Sequence, residues 1–127
     1  MYMDVQKPSE VLDRFIDWLE ICRVEYEEAY AIVGEEDKRL QDLLHALEFA
    51  ENKGERNRTA TKFQKSRKRR RMAKNKVAEL QKIYDFCKDQ NNKPTLKRLK
   101  GIIPKQKDTE IYLESEKTYT PRVGDES

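Results

Sequence analysis

The 127-residue sequence has one histidine, two cysteines, four glycines and no long apolar run. Its apolar stretches fall short of the roughly 18 residues that a membrane-spanning helix needs, and Asp4 and Lys7 stand where a signal peptide would be apolar. Cys22 and Cys87 are too few and too far apart for a disulfide framework or a zinc site, which predicts two buried thiols. We therefore expect a cytoplasmic chain without a metal.

The sequence also lacks the residue combinations on which catalysis usually depends. His45 falls on an exposed helix position, and no serine or cysteine is placed for it to activate. The four scattered glycines cannot build a phosphate-binding loop. Carboxylates are abundant, but on exposed helix faces they lack the pocket that acid–base catalysis requires. The sequence predicts a protein that is not an enzyme and needs no cofactor.

Charge is plentiful, and it is segregated along the chain. Between Glu10 and Glu51 there are 13 acidic and 4 basic residues, whereas between Asn52 and Lys107 there are 20 basic and 4 acidic residues. The formal net charge of +3 conceals this asymmetry. A content of 40% charged and 36% hydrophobic residues is typical of long helices that each bury one apolar stripe.

The spacing of the apolar residues predicts an all-α fold. Steps of three and four from Leu12 to Ala50 indicate a helix over about 10–51, with Ser9 as its N-cap. Asn52 to Gly54 carries turn residues, because Asn and Gly tolerate a positive φ. A second helix is predicted over about 56–89. Residues 1–93 should therefore form a long antiparallel two-helix hairpin, similar to a coiled coil.

A turn centred on Lys53 fixes which residues of the two helices face each other. Each helix has an apolar seam, which is the stripe of residues that packs against the other helix. Glu36 is the one charged residue in the seam of the first helix, and in this register it lies across from Arg70, the charged residue in the seam of the second helix. The same register sets Leu40 opposite Ser66. A buried ion pair fixes register better than it adds stability, so we expect Glu36 and Arg70 to pair.

Residues 94–127 are predicted to form short helical segments and a polar, extended tail. Pro94 opens a short helix, Pro104 ends it, and Ile111 to Leu113 belong to a second segment. The first helix of the hairpin has apolar residues outside the seam that packs against the second helix. Another part of the chain, or another molecule, must cover these residues. Either a second copy of the chain or the first short helix could supply this cover, and that helix would contribute Leu96, Leu99, Ile102 and Ile103.

Two charged surfaces are expected to face outward without neutralising each other. The predicted basic surface could bind the phosphates of DNA or RNA, or an acidic protein. It lacks exposed aromatics for base stacking, which disfavours specific single-strand recognition. The predicted acidic face could imitate a phosphate backbone. The basic surface consists of Lys62, Lys65, Arg67, Lys68, Arg69, Arg71, Lys74 and Lys76; the acidic face consists of Asp13, Asp17, Glu20, Glu27, Glu28, Glu35, Asp42 and Glu48.

Four segments together resemble small, largely uncharacterised helical proteins that are encoded by phages and prophages of low-GC Gram-positive bacteria. The resemblance covers most of the chain and implies a cytoplasmic phage accessory protein. It implies no active residue, because none of these strings is a diagnostic motif. The segments are Phe15 to Trp18, His45 to Phe49, Arg67 to Arg71 and Lys117 to Arg122.

These observations lead to three hypotheses of function. The first is a non-catalytic protein-binding module, such as a phage-encoded inhibitor or adaptor that acts on a host nucleic-acid-handling or defence protein. The second is direct binding of nucleic acid by the second helix. The third is a structural role through homo-oligomerisation.

Overall fold

The computed structural model describes residues 6–115 and Val123. These residues form three α-helices and no strand: α1 (Pro8–Glu48), α2 (Lys53–Lys88) and α3 (Lys93–Glu114). The all-α prediction is thereby confirmed. Residues 1–5 of the predicted N-terminal arm, and all of the predicted tail at 118–127 except Val123, lie outside the described residues.

Helix α1 begins earlier and ends earlier than predicted. Lys7 is its N-cap and Pro8 its first residue, so the prediction that Ser9 caps the helix was wrong. Proline suits the first helical position because its fixed φ is helical and its missing N–H needs no partner there. The helix ends at Glu48, not near residue 51.

The connection between α1 and α2 is a reciprocal side-chain cap. The Oδ1 atom of Asn52 accepts a hydrogen bond from the backbone N–H of Glu55 at 2.9 Å. The carboxylate of Glu55 accepts one from the backbone N–H of Glu51 at 2.8 Å. This pattern is similar to a capping box, except that Glu55 binds the N–H one residue before the N-cap Asn52. Lys53 and Gly54 therefore belong to α2, and the connection at 49–52 lies two to three residues before the predicted turn at 52–54. No described residue has a positive φ.

Helices α1 and α2 share a narrow core with stacked aromatic rings. The rings of Tyr26 and Tyr84 stack with centroids 3.9 Å apart, and the Tyr26 hydroxyl donates to Gln81 at 2.9 Å. Further along α1, Glu36 contacts Ser66, so residue numbers rise along one helix as they fall along the other. This order is compatible with an antiparallel pair. The core cluster comprises Cys22, Tyr26 and Leu80, with Val77, Ile83 and Tyr84 packed against it.

Helix α3 is one continuous helix, and the prediction that Pro104 ends it was wrong. An internal proline costs about 3 kcal/mol, because it loses one backbone hydrogen bond and crowds the preceding turn. Contacts on both sides of Pro104 offset this cost. Ile103 is buried before it, and Glu110 bonds to Ser9 of α1 after it. The predicted second segment is thus the last turn of α3, where Ile111 to Leu113 are exposed.

The N-terminus of α1 is capped by a carboxylate from α3. Glu110 accepts the Ser9 backbone N–H at 2.9 Å and the Ser9 hydroxyl at 2.5 Å. First-turn N–H groups have no partner within their helix, and a negative charge at this end interacts favourably with the positive end of the helix dipole. The hydrogen bond from the Ser9 hydroxyl is the main reason that the pKa of Glu110 is lowered. Glu110 thus replaces the side-chain cap that Lys7 does not provide.

The two cysteines are free thiols in this fold. Cys22 is buried, as predicted, whereas Cys87 is only half-buried. Burial raises the pKa of both thiols, which disfavours the reactive thiolate form. Within the described ranges, no helix is both long and apolar enough to cross a membrane.

Candidate functional site

The middle of α2 contains many basic residues and no acidic residue. From Arg56 to Ala78 there are eleven basic residues and no acidic one. Because a helix turns by about 100° per residue, consecutive basic residues from Arg67 to Arg71 point in all directions around the axis. Some of them must therefore face α1 and others must face away from it.

Three of these cations pair with carboxylates of α1. Arg70 donates to Asp37 at 2.6 Å, and Arg69 pairs with both Glu35 and Glu36. Lys76 lies 3.7 Å from Glu25. The expected Glu36–Arg70 pair is thus wrong by one residue: Glu36 binds Arg69, and Arg70 binds Asp37. The expectation that the two charged surfaces leave each other unneutralised is wrong for these pairs.

Glu36 is a buried carboxylate with three donors. Its side chain is 1% exposed, and its oxygens accept hydrogen bonds from Ser66 at 2.6 Å, from Arg39 at 2.9 Å and from Arg69. Burial alone would raise the pKa of Glu36, but the hydrogen bonds from Ser66, Arg69 and Arg39 outweigh it and lower the pKa to about 2. The carboxylate is therefore charged at neutral pH and ties α1 to α2.

Two of these donors were not predicted from the sequence. Ser66 was expected opposite Leu40, yet it donates to Glu36, because the serine hydroxyl needs a polar acceptor when it is buried. Arg39 lies three residues after Glu36, and that spacing brings charged partners together on a helix. The i, i+3 spacing was the available signal.

The remaining cations of the predicted basic surface have no acidic partner in the described part of the chain. Lys65, Lys68, Arg71 and Lys74 are exposed, and Arg67 is partly buried. Lys62 is also exposed, and together with Lys65 it lines a groove between α1 and α2 that also contains Glu35, Glu36 and Asp42. The unpaired cations of the predicted basic surface outside this groove are Arg67, Lys68, Arg71 and Lys74.

A shallow cleft on α2 is lined almost entirely by cations. It has a volume of about 310 Å³, and we call it the basic cleft. Arg70 is held there by Asp37, which leaves the other three charges free to bind an anion. The basic cleft is lined by Arg67, Arg70, Arg71, Lys74 and Asn75.

Four of the eight residues of the predicted acidic face form salt bridges with lysine or arginine: Asp13, Glu20, Glu27 and Glu35. Glu20 and Glu27 both pair with Arg23, and Glu27 also accepts a hydrogen bond from Tyr84 at 3.2 Å. Asp13 lies 3.9 Å from Lys107 and Glu48 lies 3.9 Å from His45. The members without a salt bridge to lysine or arginine among the described residues are Asp17, Glu28, Asp42 and Glu48.

No family model, curated protein or solved structure matches this chain.

An apolar surface at the start of α1 is a second exposed feature of the described residues. Phe15 and Trp18 are 44% and 45% exposed, and their ring centroids lie 6.3 Å apart. With Val11, Arg14 and Gln6 they line a cleft of about 340 Å³. Helix α3 contacts α1 and so supplies part of the predicted cover, but it leaves this surface open.

Proposed function

We propose that this protein binds nucleic acid, without catalysis, through the cations of α2 that form no ion pair with α1. The antiparallel hairpin of α1 and α2 is the rigid scaffold in this proposal. One observation carries it: none of the five cations Lys65, Arg67, Lys68, Arg71 and Lys74 has an acidic partner within ion-pair distance in the described part of the chain. Arg67, Arg71 and Lys74 line the basic cleft together, and Lys65 lines the groove beside α1.

The close spacing of these cations lowers the stability of the protein when no anion is bound. Arg67 and Arg71 are four residues apart, and Arg71 and Lys74 are three apart, so like charges are neighbours on the helix surface. Their mutual repulsion destabilises α2. Phosphates bound between them would remove this repulsion, which supports a role for the cluster in anion binding.

The extent of the surface suits a polymeric anion better than a single small one. Lys65 and Lys74 are nine residues apart, which corresponds to roughly 14 Å along the helix axis. Phosphates of a duplex are repeated at every 3.4 Å along each strand, so several would face a surface of this length. Their binding would release counterions and weaken as the salt concentration rises.

A four-residue variant tests the proposal, with a matched control for net charge. Fluorescence anisotropy with a labelled 20-base-pair duplex should show binding by the wild type. The combined change Lys65→Gln, Arg67→Gln, Arg71→Gln and Lys74→Gln should weaken this binding at least 10-fold at low salt. The control removes the same four charges from α3 by changing Lys93, Lys97, Lys100 and Lys105 to Gln, and it should bind within about threefold of the wild type.

The two variants separate a local site from a general attraction. Equal losses in both would mean that net charge alone drives binding, which contradicts a site on α2. Circular dichroism of each variant should retain the helical signal, because none of the eight side chains forms an ion pair in the described residues.

A second candidate function is binding of a protein at the apolar surface of Val11, Phe15 and Trp18. Its support is that this surface stays open although α3 packs on the same helix. The resemblance to phage-encoded proteins suggests a host nucleic-acid-handling or defence protein as the partner. Affinity capture should then recover one protein in stoichiometric amount, and Trp18→Ser should lose it.

The same apolar surface would also serve a homodimer. Sedimentation equilibrium of the wild type and Trp18→Ser distinguishes this case. A wild type that stays monomeric at high concentration excludes self-association, and a dimer that Trp18→Ser dissociates identifies the surface as its interface.

A further inference from the structure

The side of α2 that points away from α1 carries a row of polar side chains that can form paired hydrogen bonds. Gln64, Lys68 and Asn75 are all exposed, and we call them the outward stripe. At about 100° per residue they lie within about 40° of one another around the helix axis. They lie about 160° from the middle of the buried side of α2. The buried residues of α2 are Ser66, Ala73 and Leu80.

Cations lie on both sides of the outward stripe. Arg67 and Lys74 are about 90° away from it in one direction around the axis, and Lys65 is about 80° away in the other. None of the three forms an ion pair among the described residues, although Lys65 lines the groove that contains Glu35, Glu36 and Asp42. The outer half of α2 thus has hydrogen-bonding side chains in the middle and positive charges along each edge. Arg71 also lies about 40° from the middle of the outward stripe, and the exposed Met72 lies about 60° from it on the other side.

This cross-section matches the major groove of B-form DNA. The groove is about 12 Å wide, and an α-helix with its side chains is about 10–12 Å across. A helix in the groove meets base edges along its outermost line and a phosphate backbone along each side. Asn and Gln form paired hydrogen bonds with adenine there, and Lys donates to guanine.

We propose that α2 lies in the major groove of double-stranded DNA, with the outward stripe in contact with base edges. This inference rests on the nucleic-acid binding proposed above. Arg67 and Lys74 contact the phosphates of one strand and Lys65 contacts those of the other. Gln64 and Asn75 are roughly 16 Å apart along the axis, so the stripe covers about five base pairs.

Double-stranded and single-stranded RNA fit this surface less well. The major groove of an RNA duplex is deep and narrow, and side chains on a helix do not reach its bases. Single strands are usually held by aromatic side chains that stack on the bases, and the outward stripe contains no aromatic residue. B-form DNA is therefore the ligand that the surface favours.

Selection from a random pool of DNA duplexes tests the inference, because it assumes no target sequence. The wild-type protein should enrich a motif of about five base pairs. A duplex of that sequence in which 7-deazapurines replace the purines of the motif lacks the N7 acceptors of the major groove but keeps its base pairing. It should bind at least 10-fold more weakly than the unmodified duplex.

Substitutions in the protein test the same contacts between the outward stripe and the base edges. Gln64→Ala combined with Asn75→Ala should weaken binding of the selected duplex at least 10-fold without any change of net charge. The control combines Gln41→Ala with Gln90→Ala. Both of these glutamines are exposed and lie outside α2, so the control should bind within about twofold of the wild type.

The outcomes distinguish the inference from the proposed function. Salt-dependent binding of the pool without an enriched motif overturns the placement of α2 in the groove and leaves nucleic-acid binding intact. An enriched motif that is insensitive to 7-deazapurines also overturns it, since the sequence is then recognised elsewhere. No binding of the pool at low salt overturns both proposals.

Discussion

Ser66 of α2 donates a hydrogen bond of 2.6 Å to Glu36 of α1, and both side chains are buried. This contact sits within an otherwise narrow apolar core and is completed by Arg39 and Arg69 at its edge. A buried carboxylate with satisfied lone pairs is costly to disturb, because any loss leaves a polar group without a partner. Glu36 is therefore the polar residue on which the packing of α1 against α2 should depend most.

Replacement of Glu36 by glutamine should destabilise the fold. Glu36→Gln keeps the volume of the side chain but removes the charge that Arg39 and Arg69 bind, and we expect a loss of about 1–3 kcal/mol in the free energy of unfolding. Chemical denaturation monitored by circular dichroism measures this loss. Glu28→Gln, an exposed change on the same helix, is the matched control. Equal stability of the two variants would show that Glu36 does not hold the helices together.

The contribution of Glu36 to stability should depend on pH. The folded-state pKa of about 2 is below the roughly 4.3 of an unfolded glutamate, so the charged form favours the folded state. Its contribution is fully present above about pH 5 and is lost as the pH falls toward 2. The difference in unfolding free energy between wild type and Glu36→Gln should therefore shrink from pH 5 to pH 3. A difference that stays constant over this range would contradict the assignment.

The Ser9–Glu110 contact should control how firmly α3 is held. Glu110→Gln removes the negative charge at the N-terminus of α1 and weakens both hydrogen bonds from Ser9. Amide hydrogen exchange should become faster in the last turns of α3 and the first turn of α1, with little change in the middle of α2. Asp108→Asn, on an exposed neighbour without an ion pair in the described residues, should leave exchange unchanged. Uniform acceleration across all three helices would refute a local role.

Removal of Pro104 should stabilise α3. Pro104→Ala restores the backbone hydrogen bond to the preceding turn and relieves the crowding of the ring, which predicts a gain of about 1–3 kcal/mol. Thermal unfolding and hydrogen exchange of α3 measure the effect. Gly101→Ala provides a comparison in the same helix, because a Cβ atom there would meet open space. Destabilisation by Pro104→Ala would mean that α3 needs the proline to fit against α1.

The sequence was sufficient to predict the helical class and the position of the polar layer between α1 and α2, because both follow from residue periodicity. It did not predict which arginine binds Glu36. Arg69 and Arg70 are adjacent, and both have side chains long enough to reach the carboxylates of α1. Arg69 binds Glu36 because Asp37 is available as the partner of Arg70. Periodicity assigns residues to a face of a helix, whereas side-chain reach decides the partner.

The ends of the helices were predicted less well for a different reason. Pro104 is a helix stop when it is considered in isolation, yet Glu110 and Ser9 hold the helix together beyond it through a contact between distant parts of the chain. Asn52 is a typical turn residue, and its side chain instead caps the next helix. Local propensities do not reveal such tertiary and capping contacts.

The candidate site was predicted in part. Its cations follow from composition, but their sorting into paired and unpaired groups needed the geometry of α1. Arg69 and Lys76 belong to the predicted basic surface and yet are engaged by Glu35 and Glu25, whereas Lys68 and Lys74 are exposed and form no ion pair among the described residues. The outward stripe was not predicted from the sequence, because the surrounding charges masked its glutamine and asparagine.

The salt dependence of duplex DNA binding tests the central claim most directly. Each phosphate contact contributes about −0.9 to the slope of log K against log salt concentration. The variant with Gln at 65, 67, 71 and 74 should therefore show a slope shallower than that of the wild type by about 3–4, whereas the α3 control should keep the wild-type slope. Parallel slopes for the wild type and the α2 variant would contradict phosphate binding by this surface.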